Sequence, residues 1–312
     1  MGLTKIGESF FVFGLGMNQA KLPCFEGILP ESDLILGYGS GIVQQAGYSP
    51  QAFALLDLLV FCGNRIAYVE DLMRMGYISR SSLYASRILN PEISFFTDLR
   101  TPSGIGFKVG VIETTRALSR LRNWDSSFYL PGRLQKPVQL LHFSSDSVRE
   151  SYESASEMNL RSALRAAIIS LPPDQFAGFS LEQLFTALVR LSYMGDIRMA
   201  FAENPHKVHN IVKGQLGLLK ELYSPHFDTV GVSEVSPGIF KSRKQPGELW
   251  SSLPPSFIQN SRNVTDPRAT LTATLSRINA RESTYQALAG VGTSGVTNSL
   301  KYLVRKVSKR FM

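Results

Sequence analysis

The chain has 312 residues, 44% of them hydrophobic and 19% charged, which is typical of a folded protein and excludes a disordered one. A chain of this length suits two domains, and its longest apolar runs are about half of the ~20 residues needed to span a bilayer. The formal net charge is +8. The two cysteines lack metal-ligand spacing, which argues against a zinc site or a disulfide framework. We expect both cysteines to fill core positions of a protein in a reducing compartment.

The first motif is a glycine-rich turn followed by an aspartate within an apolar strand. Three glycines surround one serine in Gly37-Tyr38-Gly39-Ser40-Gly41, and Asp57 lies inside the apolar run 55–60. Such a turn can aim backbone N–H groups at an anion, and the aspartate can hold Mg²⁺ beside it. The turn lacks the lysine of a P-loop and the glycine spacing of a Rossmann turn. It favours a nucleoside triphosphate bound as in nucleotidyltransferases of the polymerase-β type, although a plain turn before a strand has a similar composition.

The first half of the chain has the pattern of an α/β unit. Strands are predicted at Leu34–Leu36, Leu55–Cys62, Ile93–Phe96, Phe107–Ile112 and Val138–Leu141, with a helix at Thr115–Leu121. This pattern predicts an α/β domain with a mixed sheet over residues 1–150.

The second half is predicted to be mostly helical. Apolar residues recur at helical period in 158–170, and further helices are predicted at Leu181–Leu191 and Pro205–Tyr223. Residues 228–262 are rich in Pro, Gly and Ser and contain Lys241-Ser242-Arg243-Lys244, which predicts a mobile loop. We therefore assign residues 151–262 to a helical domain and residues 263–312 to a C-terminal region.

Nearly all of the net positive charge lies in that C-terminal region. Residues 1–260 contain 24 basic and 23 acidic residues, whereas residues 261–312 contain nine and two. A helix at the end of the chain would carry an apolar stripe made of Leu300, Leu303, Val304, Val307 and Phe311. Its other side would be basic, with Lys301, Arg305, Lys306, Lys309 and Arg310. We predict that residues 297–312 bind an anionic membrane surface, with docking on the protein's own domain as the alternative. Few aromatic residues lie among these cations, which argues against nucleic acid as a partner.

Several motifs together resemble one known family. They are Tyr38-Gly39-Ser40-Gly41, Gln45-Ala46-Gly47, Lys108-Val109-Gly110-Val111-Ile112, Asn123-Trp124, the stretch Tyr129–Val138, the stretch Leu191–Met199 and Lys207-Val208-His209-Asn210-Ile211-Val212. In this order they resemble the family of mitochondrial translocator assembly and maintenance proteins, which are peripheral CDP-diacylglycerol synthases. The resemblance covers residues 34–225 and continues more loosely towards the tail.

The resemblance implies a fold and a reaction. It implies a polymerase-β-like nucleotidyltransferase domain joined to a helical domain of winged-helix type. The implied reaction converts CTP and phosphatidic acid into CDP-diacylglycerol and pyrophosphate with Mg²⁺. In that scheme Tyr38, Gly39, Ser40 and Gly41 hold the triphosphate, and Asp57 binds Mg²⁺.

The remaining site residues implied by the resemblance are mostly cations. Lys108 is expected to contact a phosphate, and Arg133 and Lys136 are expected to bind the head group of phosphatidic acid. Asp196 and Arg198 are further substrate-binding candidates, although an ion pair or a helix cap would explain them equally well. Tyr193 and Trp124 are expected to be core aromatic residues.

The chain departs from the family pattern at the end of the strand that carries Asp57. Relatives commonly have a pair of acidic residues there, whereas this chain has Phe61-Cys62-Gly63-Asn64. A second metal ligand would therefore have to come from Glu113 or Asp196.

Cellular location and two rival functions stay open at this point. The resemblance implies the matrix face of the mitochondrial inner membrane, and the lack of a presequence pattern equally suits the cytoplasmic face of a bacterial membrane. The first rival function is that of a nucleotidyltransferase with a soluble acceptor. The second is that of a non-catalytic assembly module that binds nucleic acid or protein.

Overall fold

A computed structural model describes residues 25, 27–43, 55–125, 127–197, 199, 204–261 and 266–294. At its centre is a five-stranded mixed sheet with the strand order β3-β4-β2-β1-β5. The strands are β1 (Leu34–Tyr38), β2 (Leu56–Cys62), β3 (Ser94–Arg100), β4 (Gly106–Glu113) and β5 (Gln139–Phe143). Strands β2 and β4 are parallel, and the other neighbouring pairs are antiparallel. The predicted mixed sheet is confirmed.

Helices cover both faces of this sheet, which explains why its central strands are apolar almost throughout. The helices are α1 (Arg65–Arg74), α2 (Arg80–Leu89), α3 (Thr114–Asn123) and α4 (Tyr129–Leu134). One face packs on Val69 and Leu72 of α1, and the other packs on Leu121 of α3 and Leu130 of α4.

The second half is mainly helical and has its own core. Its elements are α5 (Asp146–Ser170), α6 (Leu181–Leu191), α7 (Lys207–Tyr223), α8 (Phe227–Val230), the hairpin β6 (Val232–Ser236) and β7 (Ile239–Ser242), α9 (Pro246–Ser251) and α10 (Pro255–Gln259). Phe185, Leu188 and Tyr223 are fully buried in this core. Trp124, at the end of α3, is buried with them, so its prediction as a core residue is confirmed.

The prediction of a mobile loop over residues 228–262 is wrong, because most of this segment forms helices and a hairpin. Its prolines and glycines occupy positions where elements begin or turn. Pro246 and Pro255 each lie in the first turn of a helix, where a missing N–H costs nothing. Gly231 and Gly238 have φ values of +93° and +75°, which suit the turn before the hairpin and the turn between its two strands.

A long C-terminal helix, α11 (Pro267–Ser294), packs on the sheet half and on the helical half. The side-chain amide of Asn279 donates to the carbonyl oxygens of Leu191 (3.0 Å) and Met194 (2.9 Å). The hydroxyl of Tyr285 donates to the carbonyl oxygen of Leu89 at 2.7 Å. The predicted membrane-binding segment 297–312 lies outside the described residues. None of the helices in the described part combines the length and apolar character needed to cross a membrane.

Candidate active site

Three of the predicted site residues lie side by side across three neighbouring strands. Tyr38 of β1 is opposite Asp57 of β2, and Asp57 is opposite Lys108 of β4. Residues paired in this way project from the same face of a sheet, so the three side chains form a row at one end of it. The family-implied grouping of a tyrosine, a carboxylate and a lysine is therefore present in the fold.

The Asp57 carboxylate has a cation on one side. Lys108 Nζ lies 3.7 Å from Asp57 Oδ1, and the two side chains are 16% and 30% exposed. The same ammonium lies 4.8 Å from the centroid of the Phe95 ring. Because the pair is only partly exposed, its attraction is screened less than that of a surface ion pair. Lys108 therefore restrains the carboxylate from this side.

On its other side the carboxylate is covered by the glycine-rich turn. Gly39 has a φ of +77°, and a Cβ built there would lie 2.9 Å from Asp57 Oδ2. The carbonyl oxygen of Gly39 accepts hydrogen bonds from the backbone N–H groups of Ile42 (3.1 Å) and Val43 (2.8 Å), which holds the turn closed. Glycine thus satisfies both the backbone conformation and the close approach to the carboxylate. Ser40 is exposed at the tip of the turn.

The hydroxyl oxygen of Tyr38 is buried at this site without a hydrogen-bond partner among the described residues. Burial raises the pKa of Tyr38 to about 12, while the nearby charge of Lys108 lowers this pKa and that of Asp57 raises it. The hydroxyl is therefore a neutral donor at physiological pH. Leaving such a buried donor unpaired costs about 1–3 kcal/mol. Its position suits a hydrogen bond to an acceptor atom of a bound ligand.

Helix α4 and the loop after it bring the two predicted head-group cations to the same region. The guanidinium of Arg133 stacks on Tyr129, 3.5 Å from the ring centroid, and it is close enough to Tyr38 to lower the pKa of that hydroxyl. Lys136 donates hydrogen bonds to the carbonyl oxygen of Gly132 and, at 2.9 Å, to Ser192 Oγ. Both cations are thus fixed by neighbouring groups.

Lys136 lies in strongly positive surroundings. Burial and the charges of Arg133 and Lys207 hold the pKa of Lys136 well below its ordinary value. The ring of Tyr193 lies near both lysines, with Lys136 Nζ 5.6 Å and Lys207 Nζ 5.4 Å from its centroid. Tyr193 is partly buried against the helical core and also contacts these cations, so its prediction as a core residue alone is incomplete.

Glu113 is not brought to this site, which corrects its assignment as a metal ligand. It pairs with Cys62 at the opposite ends of β4 and β2, five residues beyond Lys108. At about 3.3 Å per residue this places it roughly 17 Å along the strand from the row that contains Asp57. It also projects from the opposite face of the sheet, because residues at odd spacing alternate faces. A carboxylate there cannot share a metal ion with Asp57.

Of the other two candidates, the structure describes only Asp196, which follows the turn after α6. Asp196 is buried, and its backbone N–H donates to the carbonyl oxygen of Tyr193 at 3.2 Å. Arg198 lies outside the described residues. Within the described ranges, no group of three or more His, Cys, Asp or Glu side chains is arranged to hold a metal ion.

The described donor set nevertheless fits Mg²⁺. This ion is commonly bound by one or two carboxylates together with substrate phosphates and water. Asp57 supplies one carboxylate, and the absence of a Cβ at Gly39 leaves space beside its Oδ2 atom.

Sequence reasoning missed Lys207 as a site residue. It is part of a family motif, but nothing in its local sequence indicates that the start of α7 and the loop after α4 both lie near Tyr193. That arrangement depends on how the helical half packs.

Comparisons with known proteins identify the family of this chain. Residues 25–261 match the family described as mitochondrial phosphatidate cytidylyltransferase. Among proteins of that name, the one from Bos taurus is 33% identical over 260 residues, which is 76% of this chain and 72% of the bovine protein. The Mus musculus protein is 29% identical over 88% of this chain and 90% of its own length. The Homo sapiens protein is 35% identical over 62% of this chain, but the matched region is only 43% of the human protein.

These relatives are eukaryotic proteins named mitochondrial, so they give no support to the bacterial alternative. The glycine turn, the Asp57–Lys108 pair, Arg133 and Lys136 all lie inside the matched region. The chain therefore belongs to the mitochondrial phosphatidate cytidylyltransferase family.

Proposed function

We propose that this chain is a phosphatidate cytidylyltransferase, which makes CDP-diacylglycerol and pyrophosphate from CTP and phosphatidic acid. Family membership supports this activity. The observation that carries it is the Gly39 turn pressed against the Asp57 carboxylate, with Lys108 on the other side. That arrangement combines a phosphate-binding turn with a carboxylate suited to a divalent ion.

The reaction is a phosphoryl-type transfer between two anions. A phosphate oxygen of phosphatidic acid attacks the α-phosphorus of CTP. The bond between that phosphorus and the oxygen bridging to the β-phosphate breaks, and pyrophosphate leaves with the electron pair. Such a reaction needs positioning and positive charge more than a covalent nucleophile. Lys108 and Arg133 supply fixed positive charge around the site, and Lys136 lies beside them with a pKa that burial holds below its ordinary value.

Each residue then has a defined part in this scheme. Backbone N–H groups of Gly39 and Gly41 and the hydroxyl of Ser40 bind the triphosphate, and the buried Tyr38 hydroxyl donates to one of its oxygens. Asp57 would hold Mg²⁺, and Lys108 restrains the carboxylate. When bound, Mg²⁺ would neutralise charge that develops on the phosphates.

The fold assignments that go with this function are also proposals. We assign the sheet half to a polymerase-β-like nucleotidyltransferase domain, supported by the glycine turn that follows β1 and the aspartate on β2. We assign the helical half to a winged-helix type, supported by three helices, α5 to α7, followed by the β6–β7 hairpin.

Phosphatidic acid is a bilayer lipid, so an enzyme that acts on it must reach a membrane surface. We assign this contact to the basic segment 297–312, and we assign the protein to the periphery of the mitochondrial inner membrane on its matrix side. The names of the relatives support the mitochondrion.

The activity is tested with CTP labelled at the α-phosphorus, phosphatidic acid liposomes and Mg²⁺. Wild-type protein should transfer label to lipid, and Asp57→Asn should reduce the rate at least about 100-fold because a fixed charge beside the phosphates is lost. Asp71→Asn, which alters an exposed carboxylate paired with Arg74 on α1, is the matched control and should keep the wild-type rate. Absence of labelled lipid with wild-type protein would overturn the proposal, and undiminished labelling by Asp57→Asn would overturn the role of Asp57.

A further inference from the structure

A second group of cations lies next to the proposed catalytic centre, and both halves of the protein contribute to it. Lys136 follows α4, and Lys207 is the first residue of α7. Their ammonium groups lie 5.6 and 5.4 Å from the centroid of Tyr193, in the turn after α6. We refer to Lys136, Lys207 and Tyr193 as the Tyr193 cradle.

The position of Lys136 in this cradle is fixed. Its ammonium donates to the carbonyl oxygen of Gly132 and to Ser192 Oγ, which use two of its three donors. A Cβ built on Gly132 would lie 2.8 Å from Ser192 Cβ, so α4 is in close contact with the end of α6 here. Both acceptors are neutral, so neither places a negative charge beside Lys136.

The electrostatics of the cradle favour an anion. The charged groups that act on Lys136 are Arg133 from α4 and Lys207 from α7, and both are cations. Helix α7 also begins there without a side-chain cap and without an acidic residue in its first turn, so its N-terminus adds positive partial charge. Cations held together in this way repel each other, and a bound phosphate group would relieve that repulsion.

The cradle adjoins the catalytic row through one shared residue. The charge of Arg133 acts on Tyr38 in the row and on Lys136 in the cradle. The row already has the Gly39 turn as its phosphate-binding element. The structure thus has two neighbouring places for phosphate groups, and the proposed reaction joins two phosphate-bearing substrates.

We propose that the Tyr193 cradle, together with Arg133, binds the phosphate monoester of the acceptor, and that Lys207 is a substrate-binding residue supplied by the helical half. This assignment rests on the proposed function, since the same chemistry would also hold a free phosphate ion. The nucleotide triphosphate then lies at the Gly39 turn and the acceptor phosphate at the cradle, with Arg133 between them.

The test compares Lys207→Gln with Lys213→Gln, which removes the same charge from an exposed position on the same helix. Dihexanoyl phosphatidic acid is the acceptor, because it is soluble and makes membrane affinity irrelevant. Lys207→Gln should raise KM for this acceptor about tenfold or more, the effect of losing a hydrogen bond to a charged group. Its KM for CTP should change less than about twofold, and Lys213→Gln should match wild type. Lys207→Arg, which keeps the charge, should recover most of the acceptor affinity.

Several outcomes would overturn the assignment. If Lys207→Gln raises KM for CTP and leaves the acceptor KM unchanged, the cradle holds the triphosphate. If neither KM changes, Lys207 is not a substrate-binding residue.

If wild-type protein has no transferase activity, the proposed function fails, and the cradle is tested by calorimetric titration with dihexanoyl phosphatidic acid and with inorganic phosphate. Binding of the lipid that is lost in Lys207→Gln supports the cradle, whereas equal binding by both proteins, or equal affinity for inorganic phosphate, overturns it.

Discussion

Replacement of Gly39 by alanine tests whether the turn after β1 positions the Asp57 carboxylate. The φ of +77° costs a residue with a Cβ about 1–2 kcal/mol. The new Cβ would lie 2.9 Å from Asp57 Oδ2, and the carboxylate, at the end of a side chain, will move away. Displacement of a catalytic group by about 1 Å can reduce a rate about 100-fold. We therefore expect kcat/KM to fall about 100-fold, while the free energy of unfolding falls by only about 1–2 kcal/mol.

Gly238→Ala provides the matched control for this experiment. Gly238 has a φ of +75°, but a Cβ built there meets no atom within 4 Å. The substitution therefore introduces the same backbone strain without touching a site residue. Thermal melts followed by circular dichroism should show similar losses of stability in the two variants. Initial rates of CDP-diacylglycerol formation should fall only in Gly39→Ala. Equal rates for the two variants would refute the idea that the Gly39 turn positions Asp57.

Three other predictions concern the cation cluster, a buried polar link and the tail. Because the pKa of Lys136 is lowered in the folded protein, the unfolded chain binds more protons between that pKa and the ordinary value of 10.5. The free energy of unfolding, measured by urea melts, should therefore rise with pH in that window. The rise per pH unit should be smaller in Lys136→Met, and an unchanged rise would contradict the lowered pKa of Lys136. Asn159→Ala leaves the indole N–H of Trp124 (2.8 Å) and the carbonyl of Pro131 (3.1 Å) without their partner, and should lower the free energy of unfolding by about 2–4 kcal/mol in the same assay. Wild-type stability in that variant would show that the link contributes little. Deletion of residues 297–312 removes cations that each contribute about 1 kcal/mol at an anionic surface, so sedimentation with phosphatidic acid liposomes should fall while CTP binding is unchanged. Equal sedimentation with and without the segment would exclude it as the membrane contact.

The sheet could be predicted from sequence because its strands are continuous apolar runs, whereas three of the four helices on it, α1, α2 and α4, were not predicted. Helix α2 buries only Leu83 and Ser86, while Tyr84 and Ile88 are exposed, so the apolar residues of its sequence do not mark the face that is buried. Helix α1 has a stronger signal, since Asn64 caps its first turn through a 2.9 Å hydrogen bond, but Asn64 was read only as the place of a missing acidic residue.

The candidate site was predictable where neighbouring strands bring residues together. Asp57 and Lys108 were chosen independently from their motifs, and strand register makes them direct neighbours. Glu113 was chosen because it is near Lys108 in sequence, but five residues of extended chain reach from one end of the sheet to the other. Lys207 approaches Lys136 only because α7 packs beside α6, and a contact between distant helices leaves no local pattern.

The bond between the Tyr285 hydroxyl and the Leu89 carbonyl joins residues 196 positions apart, and this has a consequence for biosynthesis. Translation at about 5–20 residues per second needs on the order of 15–60 s to reach that tyrosine. Until then, α11 has not been completed. The surface of α2 and β3 that it contacts therefore stays exposed, even if the sheet has already formed. Nascent chains therefore present to chaperones and proteases a surface that the finished protein conceals.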